Sequence, residues 1–380
     1  MGNSYTHLQT QDPFESFPSS SPNISKLQKW TKRLTLLPDQ SSYMRMPRSI
    51  SHGKEKHLII RTPTHTDAIG ALAPVRSGMV LSGGRDKLIA LNNTDTGECV
   101  LRWYGHKKEV TKLAFERTSS NHLLLSGSRD SQLRLWQFNC PNSRRIFLGH
   151  EMSITGLAIL NEMKCISGAR DTTLRLWDLE TGSCLRIVQY PRNLVTHISQ
   201  CDTHNLFAQS SEDKQLKIWD SRNLCLAIQF PKKKHILTHC DLLPDGNYCI
   251  TSSNGFNSDG CEITLWDLRQ QKIVREYLGH EESVNCAIFF PQQIIWKRIL
   301  LSVSADCTVK LWNMDDGRCL WTELIPTGSD LLSCVGFSDG NVVVSGLNAT
   351  FCHLRILSHG VQPYLQHISF QSRNRYSTCP

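Results

Sequence analysis

A phrase returns along this chain at intervals of forty-odd residues. It reads Ser-Gly-Ser-Arg-Asp and then Leu-Arg-Leu-Trp at 126–136, and Ser-Gly-Ala-Arg-Asp and then Leu-Arg-Leu-Trp-Asp at 167–178. Looser copies end at Trp219, Trp266 and Trp312, so five tryptophans stand 41, 42, 47 and 46 residues apart. A period of roughly twenty to fifty residues marks supersecondary units that cannot bury their apolar face alone and must stack. Gly-His pairs at Gly105-His106, Gly149-His150 and Gly279-His280 precede Asp130, Asp171 and Asp306. Several residue types therefore recur together and in fixed order.

Gly-His followed by Trp-Asp at this period resembles the WD-repeat β-propeller family. The resemblance implies an all-β fold of seven blades over residues 57–358, with strands in the short leucine-rich and β-branched runs bounded by Gly, Asn and Asp. Blade one holds His65, Ser82 and Asp86, with Asn92 where tryptophan is expected. Blade four keeps Asp213 and Trp219 without Gly-His. Blade five has Trp266 and a longer turn, 254–260. Blade seven shows only three strand-like runs, Leu331–Phe337, Asn341–Ser345 and Phe351–Leu357. The unassigned run His57–Arg61 is expected to supply its outer strand, so that hydrogen bonds between the chain ends close the ring and remove open edges. Residues 359–380 read as a tail.

Bulk properties bound the function. No run reaches the ~18 apolar residues of a membrane-spanning helix, and no secretory hydrophobic region stands at the start. The 15 cysteines fall mostly singly, with no Cys-x-x-Cys. That argues for a reducing compartment and against a disulfide framework or zinc ribbon. A net charge of +8 permits an acidic partner or membrane surface without specifying one.

Residues 1–55 differ from the rest, with Ser/Pro clusters and little β-alternation, and read as a mostly disordered arm. Met1-Gly2-Asn3-Ser4-Tyr5-Thr6 fits the N-myristoylation pattern, with Gly2 as acceptor. One acyl chain anchors only marginally, so a second signal is expected. Residues 24–37 offer one: Ile24, Leu27, Trp30, Leu34 and Leu37 share one helical face, and Lys26, Lys29, Lys32 and Arg33 occupy much of the rest. Such a basic amphipathic helix can lie in an anionic membrane interface or pack on protein.

In propellers of this kind, the resemblance implies a buried hydrogen-bonded chain in each blade. Its members here are His106, Ser126, Asp130 and Trp136; His150, Ser167, Asp171 and Trp177; and His280, Ser302, Asp306 and Trp312. The residue types suit that role: one acceptor, two groups that both donate and accept, and one pure donor. Their recurrence argues against a hydrolase triad, because an active site is built once. No Gly-x-x-x-x-Gly-Lys and no His-Glu-x-x-His is present. His197, Cys201, His204 and His235, His239, Cys240 have metal-ligand chemistry, but members four apart on a strand stand too far apart for one ion. No catalytic residue, cofactor, metal or nucleic-acid partner is expected, and a monomeric propeller is.

Binding surfaces are expected where loops project from the rigid ring. Arg85, Arg129 and Arg170 precede the turn aspartates of blades one to three. With Lys107 and Lys108 they form a basic crescent, read either as solvated charge or as a dock for an acidic or phosphorylated segment. Phe256, in the long turn of blade five, is a candidate aromatic anchor. Trp219-Asp220-Ser221-Arg222 and Trp266-Asp267-Leu268-Arg269 resemble the paired Trp-Asp-x-Arg boxes of propellers that serve as substrate receptors of cullin-4 ubiquitin ligases, where the arginines face the adaptor. The stretches 191–197, 210–213, 219–222 and 253–270 together resemble one branch of the WD-repeat family. That resemblance implies a non-enzymatic scaffold associated with cilia and with regulators of small GTPases in ciliary traffic.

Overall fold

Each repeat supplies four short apolar runs separated by turn residues, and each folds into one antiparallel sheet whose strands follow the chain. The computed structural model describes residues 59–372, apart from 118–121, 139, 162, 191, 202–203, 292–297, 327 and 360–361. Among these residues every regular element is a strand. Gly2, the 24–37 helix and the rest of the arm lie outside the described residues.

The first strand is Ile59–Arg61 (β1). Blade one follows as Ile69–Arg76 (β2), Met79–Gly84 (β3), Ile89–Asn93 (β4) and Cys99–Trp103 (β5). Blade two is Val110–Arg117 (β6), His122–Ser128 (β7), Leu133–Trp136 (β8) and Ser143–Phe147 (β9). Blade three is Ile154–Asn161 (β10), Lys164–Ala169 (β11), Thr173–Asp178 (β12) and Cys184–Gln189 (β13). Blade four is Val195–Cys201 (β14), Leu206–Ser211 (β15), Leu216–Asp220 (β16) and Cys225–Gln229 (β17). Blade five is Ile236–Leu242 (β18), Tyr248–Asn254 (β19), Ile263–Asp267 (β20) and Lys272–Tyr277 (β21). Blade six is Val284–Phe289 (β22), Ile299–Ser304 (β23), Thr308–Asn313 (β24) and Cys319–Leu324 (β25). Blade seven is Leu331–Gly336 (β26), Asn341–Gly346 (β27), Phe351–His359 (β28) and Gln362–Gln371 (β29).

The first strand of each blade packs against the first strand of the next, and β26 returns to β2, so the seven sheets form a closed propeller. Apolar faces meet between blades: Leu125, Leu135 and Phe147 of blade two pack with Ile154, Leu157 and Trp177 of blade three. Every inner strand carries a bulge near its start, seen as a register shift at 69/71, 110/112, 154/156, 195/197, 237/239, 284/286 and 331/333. The bulge frees a side chain to tie neighbouring blades. Thr111, Thr155 and Thr238 donate to the carbonyls of Ile154, Val195 and Val284, and the Asn285 amide donates to that of Leu331.

A second set of ties runs round the rim. Arg145 on β9 donates to the Thr181 carbonyl in the outer turn of blade three, Arg186 on β13 to that of Asn223, and Arg275 on β21 to those of Asp316 (2.9 Å) and Asp315 (3.0 Å). Glycine in the receiving turn makes room: Gly182 has φ +80°, and a Cβ there would stand 2.8 Å from Arg145 Cδ.

Blade seven corrects the sequence reading. It is not a strand short, because β29 occupies part of the expected 359–380 tail and pairs antiparallel with β28 along its length. β1 does join this sheet as its outermost strand, but as a fifth one, parallel to β29 with Ile60 opposite Phe370. The hairpin β28–β29 escaped notice because Pro363 and the polar residues around it read as a terminus. β1 still works at the seam. Arg61 donates to the Asp95 carbonyl (2.5 Å) and the Thr94 carbonyl (3.3 Å) of blade one, as Arg145 does for blade three.

Candidate functional site

Antiparallel strands put the loops between blades and the turns joining second to third strands at one end of the ring. The remaining turns lie at the other. Gly-His loops and turn aspartates thus share one face, and hydrogen bonds join them. In blade two, His106 Nδ1–H donates to Asp130 (3.0 Å), Ser126 O–H donates to His106 Nε2 (2.7 Å), and Trp136 Nε1–H donates to Ser126 Oγ (2.8 Å). The same chain runs through His150, Asp171, Ser167 and Trp177 at 2.8, 2.7 and 2.8 Å. It runs again through His280, Asp306, Ser302 and Trp312 at 2.9, 2.8 and 2.8 Å. Each serine hydroxyl is buried and engaged on both sides, so it offers no nucleophile.

Burial pushes the Asp306 carboxyl up, but hydrogen bonds from His280, Thr308 and the Glu281 amide outweigh it and hold the group at about 2. Asp130 and Asp171 are likewise held well below the usual carboxylate range against burial. A carboxyl whose folded value lies below its unfolded value contributes stability above the latter and loses it on acidification. We expect stability to fall as pH drops below about 4. Asp306→Asn should flatten that part of the acid-unfolding curve, followed by tryptophan fluorescence; an unchanged curve would contradict the role given to the carboxylate.

Variants of the chain appear elsewhere. In blade one the Asn92 amide donates to Ser82 Oγ at 2.8 Å, filling the tryptophan's place, and Ser82 meets His65 at 2.7 Å. Blade four, without Gly-His, is rebuilt around a lysine. Lys217 is fully buried and ion-paired with Asp213; its Nζ also donates to Asn193 Oδ1 (3.1 Å), which accepts from Gln209 Nε2 (2.5 Å), and Trp219 Nε1–H donates to Gln209 Oε1 (2.8 Å). Sequence reasoning missed Asn193, Gln209 and Lys217. The missing Gly-His was the available signal, but the lysine stands where Arg134, Arg175 and Lys310 stand in other repeats and gave no hint of turning inward.

The candidate binding residues divide between the two faces. Arg85 and Arg129 lie on the aspartate face and share Glu109, at 3.4 and 3.2 Å, while Arg170 pairs with Glu212 at 2.9 Å. All three arginines remain exposed, as do Lys107 and Lys108, which precede Glu109 in the chain at the junction of blades one and two. Phe256 is 67% exposed on this face. Its loop leans onto blade six, where Ser258 N–H donates to the Glu281 carbonyl at 2.9 Å. Arg222 and Arg269 emerge on the opposite face, at equivalent turns of blades four and five. Arg222 is clamped by its own Asp220 (2.6 Å), and Arg269 is exposed.

The two His/Cys groups meet where β14 and β18 adjoin, and His197 Nδ1–H donates to the Cys240 carbonyl at 3.0 Å. His197 and His239, on neighbouring inner strands, stack with ring centroids 3.7 Å apart. Among the described residues no set of three or more His, Cys, Asp or Glu side chains forms a metal site.

This arrangement defines the class: the chain folds as a seven-bladed β-propeller that carries WD repeats. Residues 97–137, 141–178, 182–220 and 271–313 match the family described as WD domain, G-beta repeat. The chain is similar to nuclear distribution protein nudF of Aspergillus niger, 24% identical over 293 residues that cover 72% of this chain and 65% of that protein. It is also similar to nuclear distribution protein PAC1 of Ajellomyces capsulatus, 28% identical over 73% of this chain and 64% of that one. Target of rapamycin complex subunit wat1 of Schizosaccharomyces pombe is 32% identical over a shorter stretch, 38% of this chain and 42% of the relative. The chain spans a little under two thirds of the length of the nuclear distribution proteins it matches.

Proposed function

We propose that this propeller is a non-enzymatic scaffold that gathers protein partners on its aspartate face. One observation carries the reading. Each Ser-His-Asp set is buried in the frame, while the loops beside it present Arg85, Lys107, Lys108 and Arg129 to solvent, with Arg85 and Arg129 sharing Glu109. That surface fits an acidic or phosphorylated segment. The stretches between 191 and 270 resemble WD repeat-containing protein 31, which supports partners among regulators of small GTPases and a place at the cilium or ciliary base. Gly2 and the basic 24–37 segment support cytoplasmic placement with a peripheral membrane anchor.

A second reading is favoured by Arg222 and Arg269, which occupy equivalent exposed turns of adjacent blades: a substrate receptor of a cullin-4 ligase. One experiment separates the two. The intact chain is affinity-purified beside three variants: Arg85→Glu with Lys107→Glu and Lys108→Glu, Arg222→Ala with Arg269→Ala, and Gly2→Ala. Loss of small-GTPase regulators from the first variant alone, with unchanged melting, is the expected result, and Gly2→Ala should shift the protein out of the membrane fraction. Loss of a cullin-4 adaptor from the second alone would replace the scaffold reading with the receptor one. Identical recoveries from all four proteins would overturn both.

A further inference from the structure

Inner strands of neighbouring blades meet at an equivalent step in two places: the residue at the bulge of one strand touches the residue just past the bulge of the next. Between blades four and five the step is His197 on Cys240, with His197 Nδ1 3.0 Å from the Cys240 carbonyl and 3.9 Å from its Sγ. Between blades six and seven both positions are cysteine. Cys286 follows the register shift 284/286 on β22, and Cys334 lies one residue past the end of the shift 331/333 on β26. Their sulfurs are 3.6 Å apart, with the Cys334 S–H donating to Cys286 Sγ. The two blades are drawn close here: a Cβ at Gly336 would stand 2.7 Å from the Phe290 ring.

Both thiols are free and lie in the apolar core that blades six and seven share, 2% and 3% exposed. At van der Waals contact nothing intervenes between the sulfurs, and a disulfide, at about 2.05 Å, asks only for a further approach of the two side chains. The hydrogen bond from Cys334 holds the Cys286 thiol well below its ordinary value; burial opposes this, and the His239 imidazole adds to it. Cys286 is therefore the attacking sulfur and Cys334 the resolving one.

We propose that Cys286 and Cys334 are a redox-active pair that closes into a disulfide between blades six and seven when the protein meets hydrogen peroxide. This goes beyond the scaffold reading and does not depend on it. The Cys286 thiolate attacks one peroxide oxygen and the O–O bond breaks, leaving a sulfenic acid; the departing hydroxide takes up the proton that the thiol gave and becomes water. The Cys334 sulfur then displaces the hydroxyl from Cys286, and its own proton leaves with that hydroxyl as a second water. The thiols lose two electrons in all, and the peroxide is reduced by two. A thiol reductant reverses the change, as in the transient disulfides of reducing compartments. The bond joins residues 48 positions apart and ties blade seven, which takes strands from both chain ends, to blade six.

The test uses the full chain and hydrogen peroxide. After treatment the remaining thiols are alkylated under denaturing conditions, and a non-reducing digest is read by mass spectrometry. The expected product is a linked Cys286–Cys334 peptide that dithiothreitol separates. The thermal midpoint should rise by about 5 °C on oxidation and return on reduction, because the cross-link narrows the unfolded ensemble. Cys334→Ala keeps every other cysteine and should show no rise under the same treatment; Cys286→Ala keeps the question answerable if the first variant folds poorly. No linked peptide from the unmodified chain, or an equal rise in either variant, would overturn the pair.

Discussion

Lys217→Met lowers the free energy of unfolding by about 3–5 kcal/mol, the usual consequence of stripping one partner from a buried ion pair. The side chain is wholly buried, and that of its partner Asp213 is only 10% exposed. Methionine leaves the Asp213 carboxylate without its cation and the Asn193 oxygen without its ammonium donor, and it removes the contact of the Lys217 charge with the Tyr190 ring at 5.3 Å. Burial pushes the Lys217 amine down, and the hydrogen bond and charge of Asp213 only partly offset this. Adding Asp213→Asn should therefore restore much of the loss, since asparagine can still cap the Gln215 amide without a stranded charge. The control is Lys310→Met at the equivalent position of blade six. There the ammonium faces outward to Thr322 Oγ1 at 2.9 Å, and the change should cost no more than about 1 kcal/mol. Urea midpoints of the four proteins provide the comparison. Equal losses at 217 and 310 would show that the inward lysine has no special part in blade four.

That contrast also marks how far the sequence can be read. Trp136, Trp177 and Trp312 announce their blades because one polar chain demands the same residue types at the same spacing, and a repeated demand leaves a repeated phrase. Blade four satisfies the same demand with a different set. Asn193, Gln209 and Lys217 are individually ordinary, and only the packing shows that they meet. Ties between blades are faint for a related reason. Arg61, Arg145 and Arg275 look like surface charge until each is seen lying over a glycine of the next blade, Gly97, Gly182 and Gly317. The stacking of His197 on His239 joins residues 42 positions apart on adjacent inner strands. It depends on a bulge that shifts register by one residue, and period-two reasoning has no means of placing such a bulge. At blade seven the sequence places the amino-terminal strand at the outer edge, where it lies, but does not reveal β29, which lacks the tryptophan and turn signals that frame the other blades.

The central claim is a ring of seven sheets whose last blade takes its fourth strand from the carboxyl end and a fifth from the amino end. Ending the chain at residue 358 tests it most directly. This removes Leu365 (3% exposed) and Phe370 (1% exposed) from the core they share with blades six and seven, and leaves β28 and β1 without the strand between them. The urea midpoint, followed by tryptophan fluorescence, should fall by the equivalent of at least about 5 kcal/mol, or cooperative unfolding should vanish. A chain that begins at residue 63 loses, among the described residues, only β1, the Arg61 tie and Thr62, and should lose much less, about 1–2 kcal/mol. If the chain ending at 358 unfolds cooperatively at the full-length midpoint, the carboxyl end is dispensable and the ring is completed by the amino-terminal strand alone.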